Sequence, residues 1–257
     1  MRDESRAQAA VDSLYARILA AGESVPRARE ALADCGDETL VAAVLRRALP
    51  IAFLEAVASV SPWSERPRLL ALVVLNPKAP RPLAQRLVSA LYWHDLAEIA
   101  ATQRLPAAVR ARAEALLKDG LLDMRLGDRV TLGRLATPPL LTPLLADSER
   151  QVVEAALVNP RLREEDLTTA LRRDDARGVL IVAAAGSSRW STSYAVKLAL
   201  VLQPRTPLAL ALERISSLVP RDLRRVADEK ALRPLVQAAA RGVLERLQFQ
   251  SAQRDGY

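Results

Sequence analysis

The chain has 257 residues, half of them apolar, with 37 Lys and Arg against 30 Asp and Glu, one His and one Cys. That length and apolar share suit one large or two small cored domains. The lone Cys35 excludes an internal disulfide, and with only His94 to join it a Cys/His zinc or an iron–sulfur centre is excluded too.

The apolar set is mostly Leu, Ala and Val, with few aromatics and only 9 Gly, which favours helix over strand. The net charge is +7, and nearly all the positive charge is Arg, spread along the chain and interleaved with Asp and Glu. Such a pattern fits a solvated helical surface first, and a surface for acidic partners or nucleic acid second. The opening MRDESRAQAAVDSLYARIL is charged from its second residue and lacks a signal-peptide core. The longest apolar runs, such as Leu69 to Leu75, fall far short of the roughly 20 residues that span a bilayer, so a cytoplasmic protein with no membrane span is expected.

Ala9, Val11, Leu14, Tyr15, Ile18 and Leu19 recur at helical spacing and predict a first helix over 1–20, stopped by Gly22 and Pro26. A second helix is expected from Arg27 to Cys35. Asp37 reads as the N-cap of a third that carries Leu40, Val41, Val44 and Leu45. Pro50 interrupts, and an apolar helix follows over 51–60. After the turn Ser61-Pro62-Trp63-Ser64, the next helix ends at Asn76-Pro77, because proline disfavours helix at the preceding residue and offers no N–H. Pro80 opens the helix to Leu91, and Asp95 reads as an N-cap for Leu96 to Ala101. Pro106 starts another, ended by Asp119-Gly120 with the glycine in a left-handed position. Further on, Asp128 reads as the N-cap of 129–136, and Ser148 with Gln151 as a capping box for 149–158, which ends at Asn159-Pro160. The ending QFQSAQRDGY reads as a fraying polar tail. Helices of about ten residues account for the whole chain, and no stretch alternates with period two.

LALVVLNPKAPRPL (70–83) returns as KLALVLQPRTPLAL (197–210), and the offset of 127 residues extends the match on both sides. Leu40, Ala43 and Arg46 pair with Leu167, Ala170 and Arg173, Trp63-Ser64 with Trp190-Ser191, and Pro77 and Pro80 with Pro204 and Pro207. Ser89, Leu91, Asp95 and Leu96 pair with Ser216, Leu218, Asp222 and Leu223. Roughly 80 residues align without a gap, roughly three in ten identical, which points to an internal duplication. Short helix pairs cannot bury their apolar faces alone, but stacked pairs can. The expectation is an all-α, right-handed α-solenoid of helix pairs: 1–36 as an N-terminal cap, 37–117 and 164–247 as the two repeat blocks, 118–163 between them, and 248–257 as the tail.

LVVLNPKAP (72–80), AALVNPRL (155–162) and ALVLQPRTP (199–207) share an apolar helix end, Asn-Pro or Gln-Pro, and a basic residue. This texture resembles bacterial HEAT-like and leucine-rich-repeat-variant proteins. The resemblance implies a helical-repeat fold that binds partners rather than catalyses. The cysteine cluster of some variant-repeat proteins is missing from this chain.

Candidates for chemistry are thin. His94-Asp95 sits on a turn, and the paired positions of the second copy are Arg221-Asp222, so capping is the simpler role for the shared Asp. Trp63 and Trp190 are paired by the offset and read as buried packing residues. The acid runs Glu164-Glu165-Asp166, Asp174-Asp175 and Asp228-Glu229 read as solvated, and no phosphate-binding loop is present. No catalytic, cofactor or metal residue is assigned. Two basic clusters, Arg104, Arg110, Arg112 and Arg221, Arg224, Arg225, together with Trp93, are the candidate interaction surface. The expected function is a non-enzymatic protein–protein scaffold, with nucleic-acid binding on an Arg-lined concave face as the alternative; the oligomeric state stays open.

Overall fold

The structure, a computed structural model, describes the backbone of residues 2–255 and the side chains of residues 6–250. Met1, Gly256 and Tyr257, at the ends of the expected first helix and tail, lie outside the described residues. Among the described residues every regular element is helical, with 17 α-helices, two short 3-10 turns and no strand.

The chain divides into two compact units, Met1–Asp123 and Met124–Tyr257. The first holds α1 (Arg2–Ala21), α2 (Val25–Ala33), α3 (Glu38–Leu45), α4 (Ile51–Val57), α5 (Pro67–Leu75), α6 (Arg81–Val88), α7 (Trp93–Ala101) and α8 (Ala107–Asp119). The second holds α9 (Leu126–Leu135), α10 (Pro138–Leu145), α11 (Arg150–Leu157), α12 (Glu164–Arg172), α13 (Gly178–Gly186), α14 (Tyr194–Leu202), α15 (Leu208–Ile215), α16 (Pro220–Asp228) and α17 (Pro234–Asp255).

Within each unit several helices pack on the one two along, and some also on the next. In the first unit α1 meets α3, α3 meets α5 and α5 meets α7, while α2 meets α4 and α6 meets α8. In the second, α9, α11 and α13 form one row and α10, α12, α14 and α16 another. Helix α5 shows why the apolar stretch is so dense. All seven residues from Leu69 to Leu75 are buried, because α3, α4, α6, α7 and the 3-10 turn Trp63–Glu65 pack around it. A helix apolar on every side belongs inside a stack. At the end of the second unit, Leu198, Val201, Ile215, Leu218, Leu223, Val226 and Val236 close a core between α14, α15, α16 and α17.

The proline breaks fall where expected. Asn76 and Gln203 have extended backbones (ψ 133° and 116°), so α5 and α14 stop at Leu75 and Leu202. Asp37 caps α3 by accepting from the Thr39 N–H at 2.8 Å, and Gly22 ends α1 at φ +57°.

Several local expectations are corrected. α7 begins at Trp93, so Asp95 lies inside its first turn rather than at its N-cap. Asp128 likewise lies inside the first turn of α9, behind Arg125. α11 begins at Arg150, and Asp147 rather than Ser148 accepts from the Glu149 N–H, at 2.8 Å, so the capping box does not form. Pro26 sits within the first turn of α2 instead of stopping α1, since its missing N–H has no partner to lose there. Gly120 follows α8 at φ −84°, a right-handed conformation. α17 runs from Pro234 to Asp255, so the polar ending is helical as far as Asp255.

Candidate interaction surface

A helix leaves its last carbonyls without intrahelical partners. In this chain side chains from further along supply the missing donors. Asn76, after α5, reaches the end of α3 and donates from Nδ2 to the carbonyls of Leu45 (2.9 Å) and Arg47 (2.6 Å). Asn159, after α11, does the same at the end of α9, to Gly133 (2.8 Å) and Ala136 (3.2 Å). Gln203, after α14, donates to Leu171 (2.6 Å) and Arg173 (3.0 Å) at the end of α12. In all three the amide oxygen accepts an N–H two residues on, from Lys78, Arg161 or Arg205. All three amides are buried. Proline after the amide residue stops the helix, and the amide ties that stop to an earlier helix.

Arginines and a tryptophan serve the same need. Arg214 Nη2 donates to Ala185 at the end of α13 (2.9 Å), and Trp190 Nε1 to Leu157 at the end of α11 (2.8 Å). Arg189 lies 4.2 Å over the Trp190 ring and donates to Asn159 and Leu162. Arg161 takes the Leu135 carbonyl and Arg241 that of Ala227. These four arginines therefore serve the fold's own carbonyls. Trp63 and Trp190 are both buried, at 7% and 5% exposure.

The first basic cluster does not act as one. Arg110 Nε turns to the Leu105 carbonyl and its Nη1 to Gln103, while Arg112, two residues on and thus across the helix, is exposed. Arg104 stands apart in the loop before α8, where Nη2 makes one long bond of 3.4 Å to the Leu75 carbonyl. The second cluster holds together. Arg221, Arg224 and Arg225 are spaced i, i+3, i+4 on α16, all exposed, and their side chains make no hydrogen bond or ion pair among the described residues. Trp93, at the start of α7, is half-buried, with its ring edge-on to His94.

His94 and Asp95 are neighbours in space as well, with Nε2 3.3 Å from Oδ2, but the pair is built around Arg68. That side chain, on the first turn of α5, donates from Nη1 to Asp95 Oδ1 (2.7 Å) and to Glu98 (2.9 Å). These two acidic groups hold the Arg68 pKa above its ordinary value. At the paired place in the second unit Asp222 accepts from the Tyr194 hydroxyl. Burial and the Asp222 carboxylate raise the Tyr194 pKa. An acid in the first turn of one helix, held by a donor on the first turn of the helix two before, is thus common to α7 and α16.

Two surface clefts are lined by residues that sequence reasoning passed over. In the first unit, Arg46, Arg68, Glu98 and Arg104 rim a cleft whose floor is Leu45, Leu72 and Leu75. In the second, a groove between α11 and α13 exposes Val158 (61%) and Val182 (46%) beside Ala183, Gly186, Ser187 and the Arg150–Glu154 pair. No spacing signal marked either, since each joins residues from helices far apart in sequence. Charge is uneven: residues 1–123 carry 16 Lys and Arg against 15 Asp and Glu, residues 124–257 carry 21 against 15. Among the described residues no three His, Cys, Asp or Glu gather as a metal site, and no helix is long and apolar enough to cross a membrane. The chain matches no model of a known protein family, no curated protein and no solved structure.

Proposed function

We propose that this chain is a non-catalytic protein–protein interaction scaffold, built as a HEAT-like α-solenoid on an internal duplication. Helix bounds support the duplication: α5, α6 and α7 begin and end 127 residues before α14, α15 and α16, and α17 starts 127 residues after α8. The matching roles of Asn76 and Gln203 support it further. The packing of helices two apart supports the solenoid reading, as does the recurrence of the side-chain ties.

The observation that carries the binding role is the groove between α11 and α13. Val158 stands exposed just past the end of α11, which Trp190 and Arg189 tie down, and Val182 stands exposed midway along α13. Apolar side chains on a rigid surface lose little entropy when a partner covers them. The test is capture of partners from the host with the wild-type chain and with V158D/V182D, each with and without nuclease. A stoichiometric protein that resists nuclease and is lost with the double variant supports the scaffold; loss of every partner on nuclease treatment overturns it.

The second reading, nucleic-acid binding, rests on α16 and on the charge excess of residues 124–257. Arg221, Arg224 and Arg225 are free to meet phosphates. Phosphate contacts would show as an affinity falling about 0.9 log unit per contacted phosphate for each decade of salt.

A further inference from the structure

The cleft on α3, α5 and α7 combines charge and shape in a way that names its ligand. Its volume is about 420 Å³. Three guanidinium groups stand on its rim, but they are not equivalent. Arg68 is neutralised by Asp95 and Glu98. Arg46 closes α3 and is exposed, and its side chain makes no hydrogen bond or ion pair among the described residues. Arg104 spends only Nη2, on the neutral Leu75 carbonyl, at 3.4 Å. Two cations therefore lack a counter-charge, above three leucines that are themselves only 1–6% exposed.

We propose that this cleft binds an acidic segment of a partner protein, with Arg46 and Arg104 taking its carboxylates. Guanidinium groups pair with flat carboxylates through two donors at once. Glu98 on the rim disfavours a doubly charged phosphate more than a singly charged carboxylate. The floor is aliphatic, without the aromatic platform on which bases of a single strand stack. Residues 1–123 are also close to charge balance, so no broad field draws a polyanion there.

The second unit supplies an internal contrast. The positions of Arg46, Arg68 and Arg104 are taken there by Arg173, Ala195 and Ala231. Arg173 is already held by both oxygens of Asp175, at 2.8 and 2.9 Å. At these equivalent positions the second unit has no matching pair of unpaired cations among the described residues.

This inference rests on the scaffold reading and names the partner chemistry. The probe is a short fluorescein-labelled peptide rich in glutamates, followed by fluorescence anisotropy with the full chain. Saturable binding is expected, about tenfold or more weaker for R46E/R104E, unchanged for R173E, and absent for the same peptide with glutamines in place of glutamates. R46E alone keeps the melting temperature, because the Arg46 side chain holds nothing within the fold, and still weakens binding. No saturable binding, equal binding of the glutamine peptide, or an affinity indifferent to R46E/R104E overturns the proposal. Arg46-dependent binding of a single-stranded oligonucleotide overturns it too, and takes the scaffold reading with it. If the partner captured through the α11–α13 groove is retained by R46E/R104E while the peptide fails to bind, this cleft alone falls.

Discussion

Asn76 Nδ2 lies 2.9 Å from the carbonyl oxygen of Leu45, a residue 31 positions earlier. The same nitrogen donates to Arg47, so one buried amide satisfies two carbonyls at the end of α3. Asn76→Ala leaves both unpaired and is expected to cost about 2–4 kcal/mol, combining the lost bonds with the desolvation of orphaned carbonyls. Asn76→Asp is expected to cost at least as much at neutral pH, because it places an acceptor against acceptors. Urea denaturation of the two variants checks this; wild-type stability in Asn76→Asp would show that the amide donors do not matter.

How much of this was legible beforehand follows from what each signal depends on. Helix ends at Asn76 and Gln203 were readable because proline's constraint is local. The tie that the same amides make to an earlier helix was not, since it depends on which helices stack. Asp95 looked like a cap because capping is the commonest use of an Asp near a helix start; its partner Arg68 lies 27 residues away, outside any local pattern. The basic clusters were read from sequence nearness, and only Arg221, Arg224 and Arg225 also share a helix face. Arg46 and Glu98, which complete the cleft around Arg104, carry no local signal at all.

Asp95 is 1% exposed, and its Oδ2 has no hydrogen bond. Removing Arg68 takes away the guanidinium bonded to this buried carboxylate and leaves only His94 Nε2, 3.3 Å from Oδ2 and charged only when protonated, beside it. Arg68→Ala is therefore expected to destabilise the fold by about 2–4 kcal/mol. Adding Asp95→Asn should recover part of that loss, because an amide needs no counter-charge. A double-mutant cycle by urea denaturation measures the coupling. Strictly additive effects would mean that Arg68 and Asp95 do not depend on one another.

Gly133 and Gly186 both lie in helices but differ in their surroundings. A Cβ on Gly133 would stand 3.1 Å from Ala155 Cβ, 3.2 Å from the Ala156 nitrogen and 3.3 Å from the Val152 oxygen, whereas one on Gly186 meets nothing within 4 Å. The small residue lets α9 lie close against α11, where Asn159 takes the Gly133 carbonyl. Gly133→Ala is expected to destabilise by about 1–3 kcal/mol through crowding against backbone that cannot yield. Gly186→Ala is expected to be neutral or slightly stabilising. Thermal melting of both variants separates the cases, and equal melting temperatures would refute the close approach.

Acid stability carries a readable sign at Asp37. The Thr39 hydroxyl and N–H both donate to its carboxylate, and these bonds hold its pKa below the ordinary 3.8. A carboxyl with a lowered folded pKa stabilises the fold fully above its unfolded pKa, and that contribution is lost as pH falls through the lower folded value. Asp37→Asn keeps an N-cap acceptor but removes the charge. Wild type is thus expected to be more stable than Asp37→Asn at pH 6, with the difference shrinking below the ordinary carboxylate range. Chemical denaturation of both proteins across that range tests it; a gap that stays constant with pH would show that the ionised carboxylate contributes nothing to the cap.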